Sequence, residues 1–373
     1  MKLLYIESSL AIYGGIERVL TEKINWLVEY GKCEVCLFLA NQGEHPIVFP
    51  LSSKVDVRNV GIMFHQIYRY SGLKRYYKSF WLHYLFRECL HDVIEHFSPD
   101  VIIFTRLEFA CDIMIVRGRI PVVYESHNSY YACKYEKYGW LRKIQIKLWH
   151  HALKKANVIV ALTNGDASEW KKINPRVQVV PNIVHLNDTG RYSDCRKQSV
   201  IFVGRFSAQK DVGNLLRIWE IVHQRNPEWQ LHIYGGYGDE QDAVKEKINN
   251  LNANILVHEP TSDIHNKYIK NSILLLTSLY EPFGLVIPEA MSCGLPVVSF
   301  DCPYGPRDII TDGKDGFLIN KRDVIEFSNR LCQLIKDENL RIRMGQAAIE
   351  TSKRYATEQI MPAWKELFEQ LCH

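Results

Sequence analysis

The sequence predicts an α/β protein built from two doubly wound parallel-sheet domains. Three observations carry this. The chain has 373 residues, more than the roughly 250–300 at which one core usually gives way to two. Short apolar runs without polar alternation recur between helical stretches, as expected of parallel strands buried on both faces. The alternation stops at a polar stretch and then begins again.

In the first half, KLLYIES reads as a strand, Gly14-Gly15 as a turn and IERVLTEKINWLVEYG as a helix closing at Gly31. VCLFLA is the next strand. A long aromatic and basic helical stretch follows from Gln66 to Phe97, stopping before Ser98-Pro99. DVIIFT and PVVYESH are buried strands, the second ending at His127. A helix then runs to about Ala156, followed by the strands NVIVALT and VQVVPNIV. Residues 1–182 form the first domain. Residues 183–198, polar and aperiodic, are the expected linker. The second domain, 199–355, restarts with SVIFVGR and a helix from about Gly213, then alternates through WQLHIYG, ANILVHE, SILLLTS and PVVSFD. Residues 356–373 form a last helical segment, with a break at Met361-Pro362. Doubly wound sheets bind ligands at the carboxyl ends of their strands, so two that face each other enclose a cleft.

Composition narrows the function. Hydrophobic content of 47% and charged content of 24% are those of a globular protein. No run approaches the about 18–20 apolar residues that span a bilayer, and the N-terminus lacks a secretory cleavage pattern. A cytoplasmic location is expected. The ten cysteines are scattered. Cys33 and Cys36 lie in a strand-like stretch without a second ligand pair, which favours buried structural thiols over zinc or redox chemistry. Charge is uneven. Residues 1–180 carry 24 Lys/Arg against 17 Asp/Glu, and the remainder 22 against 25. From Gln66 to Arg87 there are five basic residues and no acidic one; from Lys134 to Lys155 there are seven and one. This asymmetry points to an anionic partner for the first half.

Four constellations sit at strand ends. Glu281-Pro-Phe-Gly-Leu-Val-Ile-Pro-Glu289 follows SILLLTS and runs into a helix. Free amides near Phe283, Gly284 and Leu285 can receive phosphate, and the two carboxylates can accept sugar and ribose hydroxyls. Alternatively both acids only favour the helix dipole. Gly204-Arg205-Phe-Ser-Ala-Gln-Lys210 delivers two cations after SVIFV, suited to a departing pyrophosphate, or simply to a solvated loop. Gly14-Gly15-Ile-Glu17 is either a phosphate-binding turn or a tight strand–helix turn, with Glu17 supporting the helix start. His127, in Tyr124-Glu-Ser-His-Asn128, lies at a strand end, where a structural and a functional role are both open.

Taken together, these segments resemble the retaining glycosyltransferases of family 4, which have the GT-B fold of two facing Rossmann-like domains. Glu281–Glu289 with Ala290–Val298 looks like the family signature. GRFSAQK, GGIE, PNIV and DGKDGFLI match in order, and Asp301–Ile310 looks like bacterial members that build surface polysaccharides and lipid-linked oligosaccharides. The resemblance implies that Arg205 and Lys210 hold the donor diphosphate, with Gly204 at their turn. Glu281 and the amides at Phe283, Gly284 and Leu285 would contact the transferred sugar and phosphates, and Glu289 the ribose. Gly14 and Gly15 would line the phosphates, His127 would sit near the donor sugar, and His258, Glu259 and Pro260 would border the base. The last helix would cross back to the first domain. Asp211, Ile183 and Asn128 depart from the residues the family often carries, and Asp211 adds negative charge near the phosphates.

The implied reaction is retaining transfer of a hexose or N-acetylhexosamine, with UDP as the expected nucleotide. No cofactor is expected, and protein cations would take the place of a metal. The front-face route would use a donor phosphate oxygen to help remove the acceptor proton. Nine aromatics between Phe64 and Phe86, and Tyr130, Tyr131, Tyr135, Tyr138, Trp140 and Trp149 further on, mix with cations. They suit either peripheral contact with an anionic membrane and a lipid-linked acceptor, or a buried aromatic face. Nucleic acid is a poorer partner, since no recognised module accompanies the basic stretches. Two rival readings remain: a nucleotide-sugar epimerase of the same architecture, and a non-catalytic nucleotide-sugar-binding subunit.

Overall fold

The computed structural model describes residues 1–131 and 139–372. Lys134, Tyr135 and Tyr138 of the second basic aromatic stretch lie outside the described residues. The chain divides into two compact units, Met1–Ile183 with Ile360–His373, and Val184–Gln359.

The first unit is a seven-stranded parallel sheet. Its strands are β1 (Lys2–Glu7), β2 (Glu34–Leu39), β3 (Asp56–Asn59), β4 (Val101–Phe104), β5 (Val122–Ser126), β6 (Val158–Ala161) and β7 (Val177–Val179), in the order β3-β2-β1-β4-β5-β6-β7. β1 lies between β2 and β4, with Leu3 opposite both Val35 and Val101. The strand order reverses between β1 and β4. Their inward residues pack with those of the helices around Phe38, Phe86, Phe104, Phe109 and Trp170. Phe86 stacks on Phe109 at 4.6 Å and meets Phe38 edge-on at 5.4 Å.

The second unit repeats the plan with six strands: β8 (Ser199–Gly204), β9 (Gln230–Gly235), β10 (Ile255–His258), β11 (Ile273–Leu276), β12 (Val297–Phe300) and β13 (Gly316–Ile319), ordered β10-β9-β8-β11-β12-β13. The reversal falls between β8 and β11. Trp219, Phe202, Phe206, Leu275 and Phe327 sit in its core.

Several elements differ from the sequence reading. The stretch from Gln66 is not one helix. A 3-10 turn, Phe64–Arg69, is followed by extended backbone at Ser71 (φ −125°, ψ 165°), and the helix begins at Gly72 and runs to Phe97. Of residues 183–198, the expected linker, Val184 onward belongs to the second unit and is hydrogen-bonded within it. The Ser193 amide donates to the Cys293 carbonyl (2.8 Å), the Asn187 amide to Ser292 Oγ (3.0 Å), and Arg341 Nε to the Cys195 carbonyl (2.9 Å). The final helix is unbroken at Pro362. It spans Thr357–Cys372, with Ile360, Met361, Trp364, Leu367 and Phe368 buried. Packing of this apolar face outweighs the one hydrogen bond that an early-helix proline removes. Cys33 and Cys36 are buried and unpaired, and burial pushes the Cys36 thiol up to about 12. Among the described residues, no helix is long and apolar enough to cross a membrane.

Candidate active site

In the second unit, the polar side chains gather where the strand order reverses, at the carboxyl ends of β8 and β11. This is the position at which open α/β sheets bind ligands. The backbone leaves β8 at Gly204, and Ala208–Lys210 forms a 3-10 turn. Lys210 Nζ donates to Glu281 Oε1 at 2.6 Å, and Ser278 Oγ donates to the same oxygen at 2.6 Å. Glu281 is buried and Lys210 largely so, whereas Arg205 is exposed. Two residues 71 apart in sequence thus meet because β8 and β11 are neighbours.

The segment after Glu281 is held against the start of the next turn: the Glu281 amide donates to the Pro303 carbonyl (2.8 Å), and the Tyr304 amide to the Glu281 carbonyl (2.9 Å). Gly284 has φ +90°, a conformation that favours glycine, and its carbonyl accepts from the Ile287 amide (2.9 Å). The helix begins at Val286, with Leu285 at its N-cap. The Phe283 side chain is buried edge-on to Tyr355 at 5.3 Å, so only its backbone is placed to meet a ligand. Glu289 lies in the helix, buried, with the Tyr268 hydroxyl 3.5 Å from Oε2.

Asp211 differs from its expected role. Its carboxylate pairs with Arg322 and caps the helix Val212–Arg225 by accepting from the Asn214 amide (3.3 Å). Arg322 also donates to the Ser278 carbonyl (2.8 Å) and the Thr277 carbonyl (3.1 Å), so the Asp211 charge is compensated rather than added to the site. His258 ends the edge strand β10, two strands and about 10 Å from β8. It stacks on Tyr234 at 4.4 Å, and its Nε2 lies 3.0 Å from His232 Nδ1. Burial lowers the pKa of both histidines. Glu259 and Pro260 follow it, beyond the strand.

In the first unit, Gly14 is the N-cap of the helix Gly15–Glu29. Glu17 folds back over it: a Cβ at position 14 would collide with Glu17 Oε2. Burial raises the Glu17 pKa, against its own backbone hydrogen bond and Arg106. Arg106 comes from the end of β4 and pairs with Glu7 at the end of β1, which also accepts from Thr105 and from the Ser8 amide (2.7 Å). The sequence reading missed this Glu7–Arg106 pair at the reversal of the first sheet. A charged residue closing an otherwise apolar strand was its only signal. His127 follows β5 as expected, but it is buried rather than on an open rim, at 5% exposure. Its Nε2 lies 3.1 Å from Glu125 Oε2, and Glu125 in turn is paired with Lys23 of the first helix. Lys23 and Glu125 were also missed, because a lysine in an amphipathic helix reads as solvent-facing. Among the described residues, no three His, Cys, Asp or Glu side chains converge as a metal site requires.

Residues 13–188 match the family described as Glycosyltransferase Family 4, and residues 193–351 match Glycosyl transferases group 1. A curated relative, the amylovoran biosynthesis glycosyltransferase AmsD of Erwinia amylovora, is 37% identical over 199 residues, covering 51% of this chain and 55% of AmsD. The chain's matches span about half the length of such curated relatives. Among solved structures, a mutant of S. aureus TarM crystallised with fondaparinux, α-GlcNAc-glycerol and UDP shares the fold. The TM-score is 0.78 at 16% identity, over 98% of this chain and 99% of that one. Anabaena HepE in complex with UDP and glucose gives a TM-score of 0.75 at 20% identity, over 99% of each chain.

Proposed function

We propose, from the premise that this chain belongs to the group 1, family 4 glycosyltransferases, that it moves a hexose or N-acetylhexosamine from a nucleotide sugar to a glycan acceptor in bacterial polysaccharide or glycolipid synthesis. The observation that carries the reading is the Lys210–Glu281 pair at the reversal of the second sheet. An ammonium has three N–H groups. Lys210 can therefore keep Glu281 and still donate to a diphosphate, while Arg205 adds a bidentate donor from its exposed position. Charge on the leaving diphosphate grows in the transition state, so these cations and the amides of Phe283, Gly284 and Leu285 lower the barrier without a metal. Glu281 remains available to the sugar and Glu289 to the ribose. Gly14, Gly15 and His127 are assigned to the donor by the family resemblance.

Retention is expected to proceed at the front face, with a phosphate oxygen of the donor helping to take the acceptor proton. The UDP held by TarM and HepE on the same fold supports a UDP-linked donor, and the AmsD likeness supports a polysaccharide acceptor; a lipid linkage on that acceptor is part of the proposal. The exposed face of Tyr68, Tyr76, Tyr77, Phe80 and Trp81 with Lys74 and Lys78 supports peripheral contact with the cytoplasmic leaflet.

A thermal-shift panel of nucleotides and nucleotide sugars in EDTA tests the donor site. A ligand that binds only the folded state raises its apparent stability. A rise with UDP and one UDP-sugar, lost in Glu289→Ala, is the expected result. No rise with any nucleotide would overturn the reading, and turnover of the sugar nucleotide without an acceptor would favour an epimerase.

A further inference from the structure

We infer that Glu125, held by Lys23, fixes the tautomer of His127, with the hydrogen at Nε2 and Nδ1 left as a hydrogen-bond acceptor. The geometry puts one ring hydrogen at Nε2. His127 Nε2 lies 3.1 Å from Glu125 Oε2, and its Nδ1 is buried without a hydrogen-bond partner among the described residues. An ionised carboxylate only accepts, so Nε2 carries a hydrogen, and of the two tautomers of the ring the one selected has its lone pair at Nδ1. That lone pair takes a donor such as a sugar hydroxyl. It does not take a phosphate oxygen, which has no hydrogen to give.

Glu125 is ionised because Lys23 contacts both of its oxygens. Burial alone would raise the Glu125 pKa, but Lys23 and then His127 outweigh it and hold it below the usual range. Lys23 is itself enclosed. Its Nζ lies 3.9 Å from the centre of the Trp364 ring and 5.4 Å from that of Tyr5. Trp364 belongs to the final helix, so the last segment of the chain walls in the cation that sets the histidine. The loop is fixed from its other side as well: Ser126 Oγ donates to the Asn128 carbonyl (2.8 Å), and the Tyr130 amide to Asp166 Oδ1 (2.7 Å). Lys23 and Glu125 are positioning residues that act through His127.

The tautomer follows from geometry alone; its effect on turnover rests on the glycosyltransferase reading. The test is 15N NMR of the full chain labelled at histidine, with His127→Asn identifying the His127 signals among the 14 histidines. The expected ring is protonated at Nε2 and bare at Nδ1. A ring protonated at Nδ1 would overturn the proposal, whether or not the protein transfers sugar. The double variant Lys23→Met, Glu125→Leu removes both charges at nearly constant volume, leaving no stranded ion. It should show mixed tautomers, with the UDP thermal shift kept and kcat/KM for the sugar nucleotide lowered about tenfold, the loss of one hydrogen bond. An unchanged tautomer in the double variant would refute the relay. Absence of transferase activity in the parent protein, with the expected tautomer present, would sink the functional reading and leave the positioning role standing.

Discussion

Asp166 offers a test of the fold around the His127 loop that needs no substrate. It is 1% exposed, yet it accepts from the Tyr130 amide (2.7 Å) and Trp170 Nε1 (2.9 Å), with Ser126 Oγ 3.3 Å from its Oδ2. Burial outweighs these donors and lifts its carboxyl from 3.8 to about 7. In the unfolded chain the group titrates near 3.8. Below that pH both states hold the proton, and the group's stabilisation is fully present. Between 3.8 and about 7 the folded state binds more protons than the unfolded one, so stability falls as pH rises through this window and is flat above it. Three pKa units correspond to about 4 kcal/mol. Asp166→Asn keeps the shape and cannot ionise. Trp170 Nε1 retains Ser126 Oγ at 2.8 Å as a second acceptor. Urea denaturation of both proteins at pH 4 to 8 should therefore show a difference that grows in favour of the variant as pH rises towards 7, because all other titrations cancel between them. A difference independent of pH would refute the reasoning.

Lys210→Ala should cost roughly 3 kcal/mol of stability by stranding the buried Glu281 carboxylate, and lower kcat about a hundredfold by removing a diphosphate donor. Adding Glu281→Gln should restore the melting temperature but not turnover, as calorimetry beside a transfer assay would record. Glu289→Ala should keep the fold and lose at least about 2 kcal/mol of UDP-dependent stabilisation, a charge-assisted hydrogen bond, measured by titration calorimetry. Vesicles containing anionic lipid should pellet the protein at low salt and release it at high salt. Replacing Tyr77 and Phe80 with Ser should weaken pelleting without altering the melting temperature, since both side chains are exposed. No pelleting at low salt would remove the membrane contact.

What could be read from the sequence follows from where each residue's partners lie. β1, β4, β8 and β11 were legible because a strand buried on both faces must be apolar at successive positions, whatever surrounds it. β3, with the sequence DVRN, was not, since an edge strand paired only with β2 can be polar. β13 is four residues long, and its motif DGKDGFLI was recognised without being read as a strand. Glu281, Lys210 and Gly284 were found as local patterns at strand ends, but the contact between Lys210 and Glu281 depends on β8 and β11 being adjacent. The compensation of Asp211 by Arg322 crosses 111 residues, and that of Glu125 by Lys23 crosses 102. Local spacing carries no trace of either.

The distribution of buried charge carries the argument one step further. A buried ion pair is poor evidence of stabilisation, because desolvation costs about as much as the attraction returns, and apolar residues of similar size often serve as well. Stability alone therefore gives little reason to place Glu7 with Arg106, Lys23 with Glu125, or Lys210 with Glu281. Yet Glu7–Arg106 lies at the carboxyl ends of β1 and β4, Lys210–Glu281 at those of β8 and β11, and Glu125 near the carboxyl end of β5, just before His127. In each sheet the interior between the strands is apolar, and these three pairs lie at the end at which such sheets bind ligands. Charges so placed are costly in the empty fold and useful only when a polar ligand arrives to share them. Ligand binding should therefore stabilise these units more than any single substitution within the apolar interior could.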